Sequence, residues 1–328
     1  MVAFKRFWQR TRLRALSGLV RVRDRFKFAD GSLAGSKWPV RALADESRPP
    51  FFVLGSPRSG TTLLRAILCA HPEVFVPPEN GALGGMIRVF GSQRSSDWIE
   101  VVDAVLEKFT HGYEFSYWDV DMRSITEKAK AIPHGKRSLA ALLQLLYAEY
   151  GSKKAPGKRF WGDKTTPGGF HYIYKVALVF PEANYIHIVR DGRDCVTSSV
   201  RAGFFNKSYQ EAAYAWQDNV RLCRRFGRSV GERFHELRYE DLVTSPRSQV
   251  ERLCSFLRIE PASAMLEHQS LVQNSTPDVS AIGHHGNVRH PISTKRLGKW
   301  QAELPESERE RVSKIVAPEL AFYGYVND

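Results

Sequence analysis

Residues 51–65 read Phe-Phe-Val-Leu-Gly-Ser-Pro-Arg-Ser-Gly-Thr-Thr-Leu-Leu-Arg, and this stretch limits the fold more than any other. Phe51 to Leu54 is an apolar run between Pro50 and Gly55, which predicts a buried strand. Gly55 to Gly60 is a loop of small residues. Leu64, Ile67 and Leu68 then repeat at helical spacing, so a helix follows. A strand, a Gly-bounded loop and a helix together place backbone N–H groups around an anion. The spacing is the G-x-x-x-x-G of a phosphate loop, but Thr61-Thr62 stand where a triphosphate-binding loop has Lys-Ser/Thr. The cation lies inside the loop instead, at Arg58. An ordinary strand-to-helix turn is the competing reading of the same residues.

The rest of the chain supports an alternating α/β arrangement. Val74 to Val76 is a short extended run ended by Pro77-Pro78. Further strands are expected at Arg159 to Gly162, Asn184 to Val189 and Phe234 to Tyr239. Helices are expected over 97–109, 138–150, 170–180, 194–202, 209–227, 247–258 and 306–324. Residues 273–295 lack periodicity and predict a long functional loop. This alternation predicts a three-layer α/β fold, a central parallel β-sheet flanked by helices. Residues 1–48 read as a basic N-terminal arm and linker. In the arm, Phe4, Trp8, Ala15, Leu19, Val22 and Phe26 share a helical face among Lys and Arg. Such a face either docks on its own domain or lies on an anionic membrane. Residues 49–328 read as one domain, with a helical insertion at about 81–158.

The net charge of +13 in 328 residues points to anionic partners: nucleotides, acidic substrates, nucleic acid or membrane surfaces. Cys69, Cys195, Cys223 and Cys254 are scattered without metal-ligand spacing, which fits a reducing compartment. No apolar run reaches the roughly 18 residues of a membrane span. No signal-peptide core precedes the domain. A cytoplasmic enzyme is the expected setting, with peripheral membrane contact left open.

The strand at 184–189 runs into Arg190-Asp191-Gly192-Arg193-Asp194-Cys195-Val196-Thr197-Ser198. This is a second strand end with Arg and hydroxyl groups, where α/β sheets bind ligands. Asp194 reads as the helix N-cap. Structural ion pairs among Arg190, Asp191 and Arg193 are equally compatible with the pattern. Together the two segments resemble the 3′-phosphoadenosine 5′-phosphosulfate (PAPS)-dependent sulfotransferases, and most of all their tyrosylprotein and related bacterial branch. Gly-Ser-Pro-Arg-Ser-Gly-Thr-Thr-Leu-Leu resembles that family's 5′-phosphosulfate loop, and Val-Arg-Asp-Gly-Arg-Asp with Ser198 its 3′-phosphate site. Tyr239-Glu240-Asp241-Leu242 and Leu297-Gly298-Lys299-Trp300 also resemble that branch. The resemblance runs from about residue 50 to about 305.

The resemblance implies a P-loop-like sulfotransferase fold and sulfuryl transfer from PAPS to a hydroxyl or amine. It implies backbone amides of Ser59, Gly60, Thr61 and Thr62 on the 5′-phosphate. Arg190 and Ser198 would bind the 3′-phosphate, and Tyr239 would contact the nucleotide. Asn287, Val288, Arg289 and Lys299 would lie in a nucleotide-covering segment. Ala202 replaces a further cation of the family, with Arg201 beside it, so a third contact to the 3′-phosphate is left open. Glu79, after Pro77-Pro78, would be the general base, and Arg58 and Lys164 would stabilise the transferring group. His71 reads as a helix-terminal residue rather than a base. No metal is called for.

Three rivals remain at this stage. A P-loop kinase or NTPase would carry Gly-Lys-Ser/Thr, which is absent. A basic membrane- or nucleic-acid-binding module fits the charge, but the basic residues are spread and no nucleic-acid motif is present. A nucleotide-binding relative without catalysis is opposed by the joint presence of Arg58, Glu79 and Lys164. Phe90, Trp98, Phe109, Tyr113, Phe115, Tyr117 and Trp118 provide either an acceptor-facing wall or a plain core. The acceptor is expected to be a small molecule, lipid or glycan. Membrane contact through residues 4–27 and homodimer formation stay open.

Overall fold

The computed structural model describes residues 33, 35–41, 48–165, 172–205, 208–272 and 288–325. The basic arm, Asn287 and most of the 273–295 loop lie outside these residues. The chain divides into two compact units. One is built on Pro77–Trp161 and His171–Ala183 with the residues before Phe51; the other takes Phe51–Val76, Gly162–Phe170 and Asn184–Asp328.

The second unit contains the sheet, apart from the first two residues of its third strand. Its strands are β1 (Phe51–Leu54), β2 (Val74–Phe75), β3 (Phe160–Lys164), β4 (Asn184–Val189) and β5 (Phe234–Arg238), in the spatial order β2-β3-β1-β4-β5. β1 pairs in parallel with β3 and β4, and β4 pairs in parallel with β5. Phe51 to Leu54 are all fully buried, as expected for a strand covered on both faces. Helices α1 (Thr61–Cys69), α7 (Gly192–Arg201), α8 (Tyr209–Val230), α9 (Tyr239–Thr244), α10 (Pro246–Leu257), α11 (Trp300–Glu303) and α12 (Glu306–Phe322) complete this unit. Cys195, Val196, Trp216, Val220, Val312, Val316, Leu320 and Tyr325 join in one apolar cluster, which seats the C-terminal helix beside α7 and α8. The expected parallel sheet flanked by helices is present. The third strand runs two residues beyond its expected end, which brings Lys164 into the sheet.

The first unit holds α2 (Leu83–Ser92), α3 (Trp98–Thr110), α4 (Met122–Lys130), α5 (Leu139–Lys154) and α6 (Ile173–Val179). Here the structure decides between wall and core for the aromatic residues. Phe90, Trp98, Phe109 and Trp118 are at most 2% exposed, so they are core and line no acceptor surface. Trp118 stands edge-on to Phe109 and Tyr150, with centroids 4.7 and 5.2 Å away, and donates its indole N–H to the Pro78 carbonyl. Aromatic rings stack edge-to-face because their quadrupoles favour it, so this cluster contributes both area and orientation. Tyr113, in contrast, is exposed.

Candidate active site

The sheet register assembles the site. Val189 lies opposite Arg238 at the adjoining ends of β4 and β5. One residue further along each strand come Arg190 and Tyr239. The Arg190 guanidinium therefore stacks on the Tyr239 ring, 4.6 Å from its centre. Leu54 lies opposite His187, so the loop after β1 climbs past the end of β4. There the Arg58 carbonyl accepts a hydrogen bond from Arg190 Nη1 at 3.3 Å.

The loop itself is shaped to hold an anion. Gly60 caps α1 at φ 103, in left-handed territory that favours glycine. A Cβ there would lie 2.5 Å from the Tyr239 ring, so the backbone approach needs glycine on steric grounds as well. Arg58 also has a positive φ of 68, a costly conformation for a non-glycine residue. The first α1 amide to find a helical acceptor is that of Leu64, on the Gly60 carbonyl. The amides of Thr61 and Thr62 are therefore left for another acceptor. Ser59 departs from its expected role. Its N–H donates to the Ser56 carbonyl at 3.1 Å, whereas its buried hydroxyl and that of Ser56 have no hydrogen-bond partner. Two buried hydroxyls without a partner, beside amides left for another acceptor, suit a loop that binds an anion.

Arg58 spans the two anion segments, and its Nε donates to Ser198 Oγ at 3.0 Å. Burial holds its pKa below the usual arginine value, with Arg296 and Arg190 adding to the effect. Three guanidinium groups thus share one cradle. Arg296 was not singled out in the sequence. Its signal was a Lys-Arg pair directly before the Leu297-Gly298-Lys299-Trp300 segment. That segment is docked by Asp194, whose carboxylate accepts from the amides of Gly298 (3.1 Å) and Trp300 (2.9 Å) and from Arg190 Nη2 (2.9 Å). Asp194 is therefore not the N-cap. That place belongs to Asp191, whose side chain accepts from the Arg193 amide at 2.8 Å and also pairs with the Arg193 guanidinium. Arg190 and Arg193 are ion-paired, as the structural reading of the segment expected, yet Arg190 keeps a buried Nε without a partner.

The profile of the sulfotransferase family matches residues 49–263. The chain belongs to the sulfotransferase family. It is an enzyme of the PAPS-dependent kind, as its two anion segments suggested. The zebrafish (Danio rerio) protein-tyrosine sulfotransferase 1 is 27% identical to it over 292 residues, covering 86% of this chain and 74% of that protein. The Drosophila melanogaster protein-tyrosine sulfotransferase is 26% identical and covers 84% of this chain, but only 52% of that protein is matched. Among solved structures, the sulfotransferase domain of the Synechococcus PCC 7002 olefin synthase has the same fold. It has a TM-score of 0.60 at 24% identity, covering 89% of this chain and 100% of that one. The sulfotransferase domain from the curacin biosynthetic pathway superimposes at TM-score 0.54 and 23% identity, over 83% of this chain and 99% of that one.

The residues of this sulfotransferase fit a bisphosphorylated nucleotide at the cradle. The Thr61 and Thr62 amides with the Ser59 hydroxyl would hold one phosphate, and Arg190 with Ser198 the other. Lys164 ends β3 beside β1, opposite Val53, and is buried. Thr165 next to it donates its amide to the Val53 carbonyl at 3.0 Å and its hydroxyl to Asp163. Val288 packs with Ala66, Val272 and Leu63, so it anchors its segment on α1. Arg289 follows it and is exposed; Asn287 lies outside the described residues. Lys299 and Arg201 both pair with Glu303. Glu79 belongs to the other unit, half-buried between the Pro78 carbonyl, held by Trp118, and Asn80, whose side chain donates to the Phe109 carbonyl. His71 is buried and structural: its Nδ1 accepts from the Glu73 amide and its Nε2 faces the Glu260 carbonyl at 2.8 Å. Among the described residues no group of His, Cys, Asp and Glu is arranged to hold a metal. No described helix is long and apolar enough to cross a membrane.

Proposed function

We propose that this sulfotransferase transfers the sulfuryl group of PAPS to the hydroxyl of a small molecule, lipid or glycan, with Glu79 as general base. The observation that carries the donor half is the joining of Arg58, Arg190, Ser198, Gly60 and Tyr239 at adjoining strand ends. Sulfuryl transfer depends on positioning and on electrostatic stabilisation of the moving group. Arg58 and Lys164 supply the charge, the first from the loop and the second from the neighbouring strand. The base must take the acceptor proton, and Glu79 is a half-buried carboxylate on a backbone fixed at both flanking residues. All four cysteines are buried and outside any disulfide.

A second reading rests on the named relatives, which are protein-tyrosine sulfotransferases. On that reading the acceptor is a tyrosyl side chain in a peptide. One experiment separates the readings. The protein is first tested for thermal stabilisation by adenosine 3′,5′-bisphosphate (PAP). It is then given labelled PAPS with phenols, lipids, glycans and tyrosyl peptides. Absence of stabilisation overturns the donor assignment, and exclusive labelling of peptides overturns the acceptor class. Glu79→Gln should lower kcat by about 10²–10⁴-fold with PAP binding retained; unchanged transfer removes Glu79 from its role.

A further inference from the structure

The Glu240 carboxylate lies at the junction of three parts of the second unit. Its Oε1 accepts a hydrogen bond from the backbone amide of Asp191 at 3.1 Å. Its Oε2 accepts from the phenol of Tyr325 at 2.7 Å. Glu240 directly follows Tyr239, and Asp191 directly follows Arg190. One side chain therefore ties together the turns that carry the two stacked donor residues. Asp191 is also the N-cap of α7, so the same amide fixes where that helix, with Ser198 on it, begins.

Tyr325 comes from just beyond α12, 85 positions further along the chain. It is 7% exposed and belongs to the apolar cluster that includes Val196 and Trp216. The Arg238 guanidinium covers its ring at 4.3 Å. The ring is thus fixed by packing, with its O–H donating to Glu240. A buried carboxylate with free rotation would lose the Asp191 amide part of the time. Holding its second oxygen removes that freedom and keeps the first on the amide.

We infer that Glu240 and Tyr325 are positioning residues for the donor: through the Asp191 amide they set Arg190 against Tyr239 and so set recognition of the 3′-phosphate. The C-terminal segment is then part of the donor site without touching the donor. This inference rests on the two-anion reading of the cradle. The 5′-phosphate is held by the loop and α1, which this pair does not touch. The relay therefore acts first on the 3′-phosphate and reaches the loop only through Arg190 and Tyr239, whereas a general loss of structure would weaken both phosphate positions alike.

The test compares binding of PAP and of AMP, which lacks the 3′-phosphate, by isothermal titration calorimetry, with the unliganded melting temperature measured alongside. The wild type should prefer PAP over AMP; equal binding of both overturns the two-anion reading and the relay with it. Tyr325→Phe keeps the ring under Arg238 and removes only the donor O–H. It should weaken PAP by about five- to tenfold, the scale of one ordinary hydrogen bond, and weaken AMP clearly less. Glu240→Ala should do the same, and the double variant should be no worse than Glu240→Ala alone. Glu240→Gln should restore PAP binding to within about twofold, because its amide oxygen still accepts from Asp191. A Tyr325→Phe protein that melts lower yet keeps its preference for PAP overturns the proposal. Equal losses for PAP and AMP also overturn it.

Discussion

Gly60 shows how much one position can decide. It combines a φ of 103 with a ring 2.5 Å from where a Cβ would stand. Gly60→Ala should therefore strain the loop by on the order of 1–3 kcal/mol and push Tyr239 off its stack with Arg190. The expected outcome is at least a tenfold rise in the PAP dissociation constant, with melting lowered by only a few degrees. Calorimetry and a thermal scan on the same sample check both. Residues of this kind were legible in the sequence because the loop spacing names them. Arg58, Gly60, Arg190 and Ser198 all fall at the cradle as the motifs required. Arg296 and Glu240 were not legible as site residues. What qualifies them is a partner about a hundred or about fifty positions away, and no local pattern encodes that.

At the level of elements, the strands were the clearest part of the sequence. β1 and β4 are apolar runs covered on both faces, so they stand out against their Gly, Pro and charged borders. α4 was not anticipated, since Met122–Lys130 is mostly polar. It forms because the Asp121 side chain caps it, accepting from the amides of Arg123 and Ser124, while Ile125 and Ala129 bury one narrow face. The α7 cap was misplaced by three residues, and its start by two, because two aspartates there are both competent caps. Tertiary contacts with Gly298 and Trp300 claim Asp194 and leave the cap to Asp191. This predicts an unequal pair of variants. Asp194→Ala leaves the Arg190 charge buried without its carboxylate and frees two amides, so it should cost about 3–5 kcal/mol in urea unfolding. Asp194→Asn keeps an acceptor and should cost clearly less.

At the scale of the whole molecule, the C-terminal helix is tied to the sheet by an ionic chain. His187 on β4 donates to Glu236 on β5 at 2.7 Å, and the Tyr323 phenol donates to the same carboxylate at 2.9 Å. Burial works against the charge on His187, but the Cys223 thiol and the Glu236 carboxylate outweigh it and raise its pKa to about 10. Such a group contributes its full stability below the unfolded value of about 6.5 and loses it as pH rises toward about 10. The melting temperature should fall between those pH values, and Glu236→Gln should flatten the slope. A wild type with a flat profile from pH 6.5 to 10 would contradict this. The aromatic residues of the first unit were ambiguous in sequence for the opposite reason. Their type suits a core or a ligand face equally, and only packing around Trp118 and Trp98 settles which they form.

The register of β4 has one more consequence. Because Leu54 faces His187 and Val189 faces Arg238, the donor residues are counted off from backbone pairs. Adjacent strands stand about 4.8 Å apart whatever side chains they bear. The spacing between the loop after β1 and Arg190 is thus a property of main-chain hydrogen bonding, and the sheet acts as a ruler for the residues at its strand ends. Exchanging a side chain weakens one mark on that ruler without moving it. Removing a single residue from β4 would instead turn Arg190 to the opposite face of the sheet, because the strand repeats every two residues.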